Sequence, residues 1–96
     1  MSLNSKQRAY LRSLAAGEQA IMQVGKDGIG ENLVKTVSDA LEARELIKLT
    51  VLAASPEGAS QTGEKLASAV GAELVCTVGR KIVLYRESQT NKRIDL

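Results

Sequence analysis

The chain has 96 residues, the size of one small domain, and its 44% hydrophobic and 25% charged content is the balance of a folded domain and not of a disordered tail. It has no His, Trp or Phe, two Tyr and one Cys, which removes the commonest general base and metal ligand and leaves no internal disulfide or Cys-rich zinc site. The net charge of +2 is small but unevenly spread: residues 1–16 hold three bases and no acid, residues 17–78 five bases and nine acids, and residues 79–96 five bases and two acids.

The spacing predicts a first helix over residues 5–16, capped by Ser5, with Tyr10, Leu11, Leu14 and Ala15 turned inward. Arg8 and Arg12, four apart, are expected to share its solvent side. Residues 20–24 read as a short buried strand that runs into Gly25. The clearest helix spans residues 30–44: Leu33, Val37, Ala40 and Leu41 line one side, Glu31 suits the positive end of the helix dipole, and Arg44 suits the negative end. Residues 46–53 form a strand with Ile47, Leu49 and Val51 on one face and Leu46 and Leu52 on the other, which predicts an interior place in a sheet. A third helix is expected from Ser55-Pro56-Glu57 to Gly71, with Ala59, Leu66 and Val70 inward and Gly58 and Gly63 weakening it. Residues 73–78 and 81–86 then pair about Gly79-Arg80 in a type II′ hairpin, with Cys76 buried in the alternation Leu74, Cys76, Val78. The polar tail from about residue 87 is expected to be loose. The order α-β-α-β-α-β-β predicts one compact α/β domain, residues 1–96, on a four-stranded mixed sheet.

No run approaches the roughly 18 apolar residues of a membrane span, and Lys6, Arg8 and Arg12 interrupt the one place for a secretory core. No membrane association is expected, and the default location is cytoplasmic. The segment Gly25-Lys26-Asp27-Gly28 joins the first strand to the main helix. Its glycines let the backbone approach a ligand, the helix N–H groups favour an anion, and Lys26 adds positive charge, although Asp27 opposes it. The spacing matches neither the dinucleotide fingerprint nor the P-loop, so no cofactor is expected. A G-x-x-G clamp on a nucleic-acid backbone fits better, and a plain Gly-rich turn fits equally well. Arg80 and Lys81 at the hairpin tip, with Tyr85 and Arg86 along the strand, are a second candidate site: bases for phosphate and a ring for stacking. Against it, Tyr85 also suits a core edge and Arg86 a protective edge charge. Ser55, Ser60 and Ser68 have no His to activate them, so neither an enzyme nor a small-molecule substrate is expected.

Taken together, the basic first helix, "MQVGKDGI", the helix running into "ALEARELIKLTVL", then "VGRKIVLYR" and the tail ending in "KRIDL" resemble the bacterial YhbY-type, single-CRM-domain proteins over about residues 3–96. The resemblance implies a fold similar to the C-terminal domain of translation initiation factor 3. It also implies a non-catalytic RNA-binding protein that meets rRNA during assembly of the large ribosomal subunit. It carries the family's G-x-x-G loop onto Gly25, Lys26, Asp27 and Gly28, its basic helix onto Lys6, Arg8 and Arg12, and its hairpin signature onto Gly79, Arg80, Lys81, Tyr85 and Arg86. The proline often found shortly before the first strand is absent, and Glu18 places an acid in that region. The expected partner is therefore RNA, bound by a monomer. The alternative is a protein–protein adaptor that docks through the acidic middle helix at Glu31, Asp39 or Glu42.

Overall fold

Apolar residues alternate along the fourth and seventh elements so that each face of the sheet acquires its own core, and helices cover both. In the computed structural model, which describes residues 3–96, the order is α1 (Ser5–Ala16), β1 (Met22–Val24), α2 (Glu31–Arg44), β2 (Leu46–Val51), α3 (Ala59–Val70), β3 (Glu73–Val78) and β4 (Lys81–Tyr85). The strands lie in the order β1-β2-β4-β3, with β1 parallel to β2 and β4 antiparallel to both its neighbours. This is the expected α/β domain with a mixed sheet. Helix α3 carries the chain past the position that β4 later fills, which puts the hairpin strand inside the sheet.

On one face, Ile47, Leu49 and Val51 of β2 and Ile82 and Leu84 of β4 pack with Val37 and Leu41 of α2 and Leu66, Ala67 and Val70 of α3. On the other face, Leu46, Val83 and Tyr85 pack with Val75 of β3, Leu3, and Leu11 and Ala15 of α1. Among the described residues α1 is the one helix on this second face, and it leaves part of the sheet uncovered.

Several local expectations change. The cap of α1 is Asn4, not Ser5: its side chain accepts from the Gln7 N–H at 2.8 Å while Gln7 Oε1 accepts from the Asn4 N–H, a reciprocal capping box. Tyr10 and Leu14 are exposed, because Leu11 and Ala15 with Arg8 form the inward stripe. Helix α3 starts at Ala59 with Gly58 as cap, and the Ser55 hydroxyl is buried without a hydrogen-bond partner. The intervening residues turn back under β1, where Pro56 sits against Gly28. Strand β3 carries a bulge between Leu74 and Cys76, so the extra residue, Val75, is the buried one. Cys76 is consequently only half-buried, and Val78 is 63% exposed.

The tail departs most from expectation. Glu42 Oε2 accepts from the backbone N–H groups of Gln89 and Thr90, each at 2.9 Å, and from the Thr90 hydroxyl at 2.8 Å. Glu45 is fully buried and accepts from the backbone N–H groups of Ser88, Arg93 and Ile94. Two carboxylates at the C-terminal end of α2 therefore hold residues 88–94 against the domain. Glu45 is also the one non-glycine residue at positive φ among the described residues, at 67°, a strained position kept by its three charge-assisted bonds.

Candidate functional site

The sheet directions decide which candidate residues meet. Val24 pairs with Val51, and Thr50 pairs with Lys81, so the ends of β1 and β2 and the start of β4 lie at one end of the sheet. Two further backbone bonds stitch that end: Leu52 N–H donates to Val24 O at 2.9 Å and Val51 N–H to Arg80 O at 2.7 Å. The Gly25–Gly28 loop and the Gly79-Arg80 hairpin tip are thus neighbours across β2.

The Gly25–Gly28 segment is a tight turn closed by the Gly28 N–H on Gly25 O at 3.0 Å, with Lys26 and Asp27 exposed at its corners. Gly28 has φ 65°, and a Cβ there would lie 3.0 Å from Pro56 Cγ, so only glycine fits both the backbone and the space. At the hairpin, Gly79 has φ 59° while Arg80 stays at negative φ, the pattern of the expected type II′ turn. Arg80 and Lys81 are exposed.

The uncovered sheet face continues this basic end. Thr50 and Lys48 of β2 alternate with the buried residues and point to the α1 side, as does Lys81 of β4. A groove of about 310 Å³ runs between the C-terminal half of α1 and the sheet, lined by Arg12, Lys48, Cys76, Val78, Lys81 and Val83. Lys48 Nζ donates to the Glu18 carbonyl at 3.0 Å, which fixes its position and leaves its charge unneutralised. None of Arg12, Lys26, Lys48, Arg80 and Lys81 is in an ion pair among the described residues. Lys35, Lys65, Arg86 and Lys92, by contrast, all have carboxylate partners. The groove and the two turns thus carry unpaired cations toward one end of the sheet, with Asp27 exposed beside Lys26 and Glu57 lining the same depression as Arg80. A chain of phosphates suits that field. Lys48 was missed in the sequence reading. The signal was present: a Lys inside an otherwise apolar strand means that one face of the strand is open to water.

Four of the sequence candidates lie elsewhere. The Arg8 guanidinium is half-buried and donates to the carbonyls of Leu74 and Val75, the latter at 3.0 Å, so it satisfies the backbone at the β3 bulge and does not face solvent. Tyr85 is 2% exposed within the α1-side core, so its ring cannot stack on a base. Burial, and then the negative charges of Glu45 and Glu87, hold its phenol above the ordinary tyrosine pKa. Arg86 is also withdrawn: it donates to Val70 O at 2.8 Å, Ser38 O at 2.8 Å and Ser38 Oγ at 3.0 Å, with Glu42 at 3.8 Å, clamping α2 to α3 on the opposite side of the sheet. Lys6 is exposed but borders a different depression, beside Tyr10, Asp95 and Leu96. Glu42, one of the three acids expected on an adaptor surface, is occupied by the tail.

Among the described residues no three His, Cys, Asp or Glu side chains gather in a way that holds a metal ion, and no helix is long and apolar enough to cross a membrane. Most of the chain matches a known domain. Residues 3–86 match the CRS1/YhbY (CRM) domain, and the chain belongs to that family. It is 46% identical to the probable RNA-binding protein YqeI of Bacillus subtilis over 98% of both chains. A Haemophilus influenzae protein named as an RNA-binding protein is 31% identical over 95% of this chain and 92% of its own. Among solved structures, that of Staphylococcus aureus protein SAV1595, described as a candidate RNA-binding protein, superposes with a TM-score of 0.83 at 47% identity over 99% of each chain.

Proposed function

We propose that the protein is a non-catalytic RNA-binding module that grips the ribose-phosphate backbone with the open end of its sheet. The observation that carries this reading is the set of five unpaired cations, Arg12, Lys26, Lys48, Arg80 and Lys81, supplied by α1, both turns, β2 and β4. Relatives of similar length named as RNA-binding proteins support it. The Gly25–Gly28 turn lets the backbone come close to phosphate while Lys26 reaches it. Lys48 and Lys81 act from the sheet, Lys48 held in place by the Glu18 carbonyl. Cations spaced over a folded scaffold read the shape and spacing of phosphates, which suits structured RNA.

The resemblance to YhbY-type proteins points this module at rRNA of the large ribosomal subunit precursor, bound in the cytoplasm by a monomer. Crosslinking the protein in cells and sequencing the bound RNA is the test. Enrichment of large-subunit rRNA precursor is the expected result. Enrichment of unrelated RNA alone would remove the ribosomal assignment, and absence of RNA would remove the function itself. In vitro, Lys26→Ala is expected to weaken binding and to reduce the slope of log K against log salt by about one, the share of one phosphate contact.

A further inference from the structure

The flank of α1 opposite Arg12 carries a second, chemically different site. Residues two apart on a helix point to nearly opposite sides, so Tyr10 and Leu14 face away from the basic groove. They are 47% and 37% exposed, an unusual place for an aromatic ring and a leucine in a domain whose other tyrosine is buried. Together with Leu46, Ile94, Arg44 and Arg93 they line a cleft of about 630 Å³. Its lining brings together apolar Leu14, Leu46 and Ile94, one exposed ring and two guanidiniums with no ion-pair partner among the described residues. Glu18 is the single acid in the lining. One wall is built by the tail, which Glu42 and Glu45 hold in place.

We propose that this cleft takes one unstacked base of a single-stranded RNA segment, with Tyr10 as the stacking platform and Arg44 and Arg93 on the flanking phosphates. A flat ring beside guanidiniums is the combination that holds single-stranded nucleic acid: the ring accepts the face of any base, and the cations follow the backbone. The two guanidiniums outnumber Glu18, so the cleft keeps a net positive charge. The route from the groove is open, because the outer stripe of α1 between groove and cleft is Lys6, Ala9, Ser13 and Ala16, all exposed and mostly small. RNA held on the sheet face can therefore pass a single-stranded end across α1 into the cleft. The inference rests on the RNA-binding reading and adds to it a preference for a single-stranded extension.

The test is nuclear magnetic resonance on the full chain, titrated with a single-stranded oligoadenylate of about six nucleotides and separately with a blunt RNA duplex. The expected result is an upfield shift of the Tyr10 ring protons with the oligoadenylate and none with the duplex. Tyr10→Ala should lower oligoadenylate affinity about tenfold, the order expected for one stacked base, while Tyr10→Phe keeps it. A Tyr10 ring that stays unmoved while the amides of Lys48 and Lys81 respond overturns the cleft assignment and leaves the function standing. Silence at both surfaces overturns both. A Tyr10 shift with a silent sheet face upholds the cleft and removes the sheet-face reading.

Discussion

Arg8 and Arg12 stand on one helix a single turn apart, and their fates differ because of what lies beneath each. Arg8 shares the inward stripe with Leu11 and Ala15 and meets the carbonyls of Leu74 and Val75 at the β3 bulge. Arg8→Ala should therefore destabilise the fold by about 2 kcal/mol in urea unfolding, through lost charge-assisted bonds and an unsatisfied carbonyl. The same change should leave the salt dependence of RNA binding intact, the reverse of a phosphate contact. The carboxylates of the tail clamp give a pH signature. Hydrogen bonds from Ser88 and then Thr90 lower the Glu42 pKa to about 2. Burial pushes Glu45 up, but the N–H groups of Ser88, Arg93 and Ile94 and the charge of Lys92 bring it below the ordinary value. Both pKa values are depressed on folding, so the stability they supply is present above about pH 4.5 and disappears as the pH falls toward 2. Amide exchange at Thr90 and Ile94 should report tail release in that window. Release near neutral pH, or protection unchanged through pH 2, would contradict the clamp. Residue identity in the sequence told which side chains carry charge. It did not tell which of them find a backbone partner, since the partners of Arg8, Arg86 and Glu45 lie 16 to 67 positions away.

At the level of elements, periodicity located all seven, and the departures have tertiary causes. Helix α3 begins at Ala59 instead of Ser55 because Pro56 is used to pack beneath the Gly25–Gly28 turn. The bulge in β3 shifts the alternation by one residue, which no pattern of period two can reveal. Gly63 shows the same limit. By propensity it only weakens α3, yet a Cβ at that position would lie 2.8 Å and 3.2 Å from the two methyls of Leu74, so the missing side chain is what lets α3 settle on β3. Gly63→Ala gains helix propensity of up to about 1 kcal/mol but overpacks this contact by more. The expected outcome is a net loss of about 1 kcal/mol in denaturant unfolding, with Gly63→Val worse. A stabilised Gly63→Ala protein would show that Leu74 has room to move.

For the whole molecule, the two basic ends of the sequence do meet, but only in part. Arg12 from the first and Lys81 from the last share one groove, whereas Arg8 and Arg86 are spent on the fold and Lys92 pairs with Glu87 and Asp95. The missing member is Lys48, drawn from the acidic middle of the chain. A surface composed this way is invisible to a count along the sequence, because the sheet order β1-β2-β4-β3 is what sets Lys48 beside Lys81. The small total charge conceals a polarised molecule: unpaired cations gather at one end of the sheet, and the acids of α2 bind the tail. In the proposed function, cations on the open sheet face contact RNA phosphates. That contact is tested most directly by the slope of log K against log salt for the wild-type chain and for Lys48→Ala/Lys81→Ala on the same structured RNA, with folding verified by circular dichroism. The account predicts a slope shallower by about two in the double variant. A slope and affinity equal to wild type would contradict it.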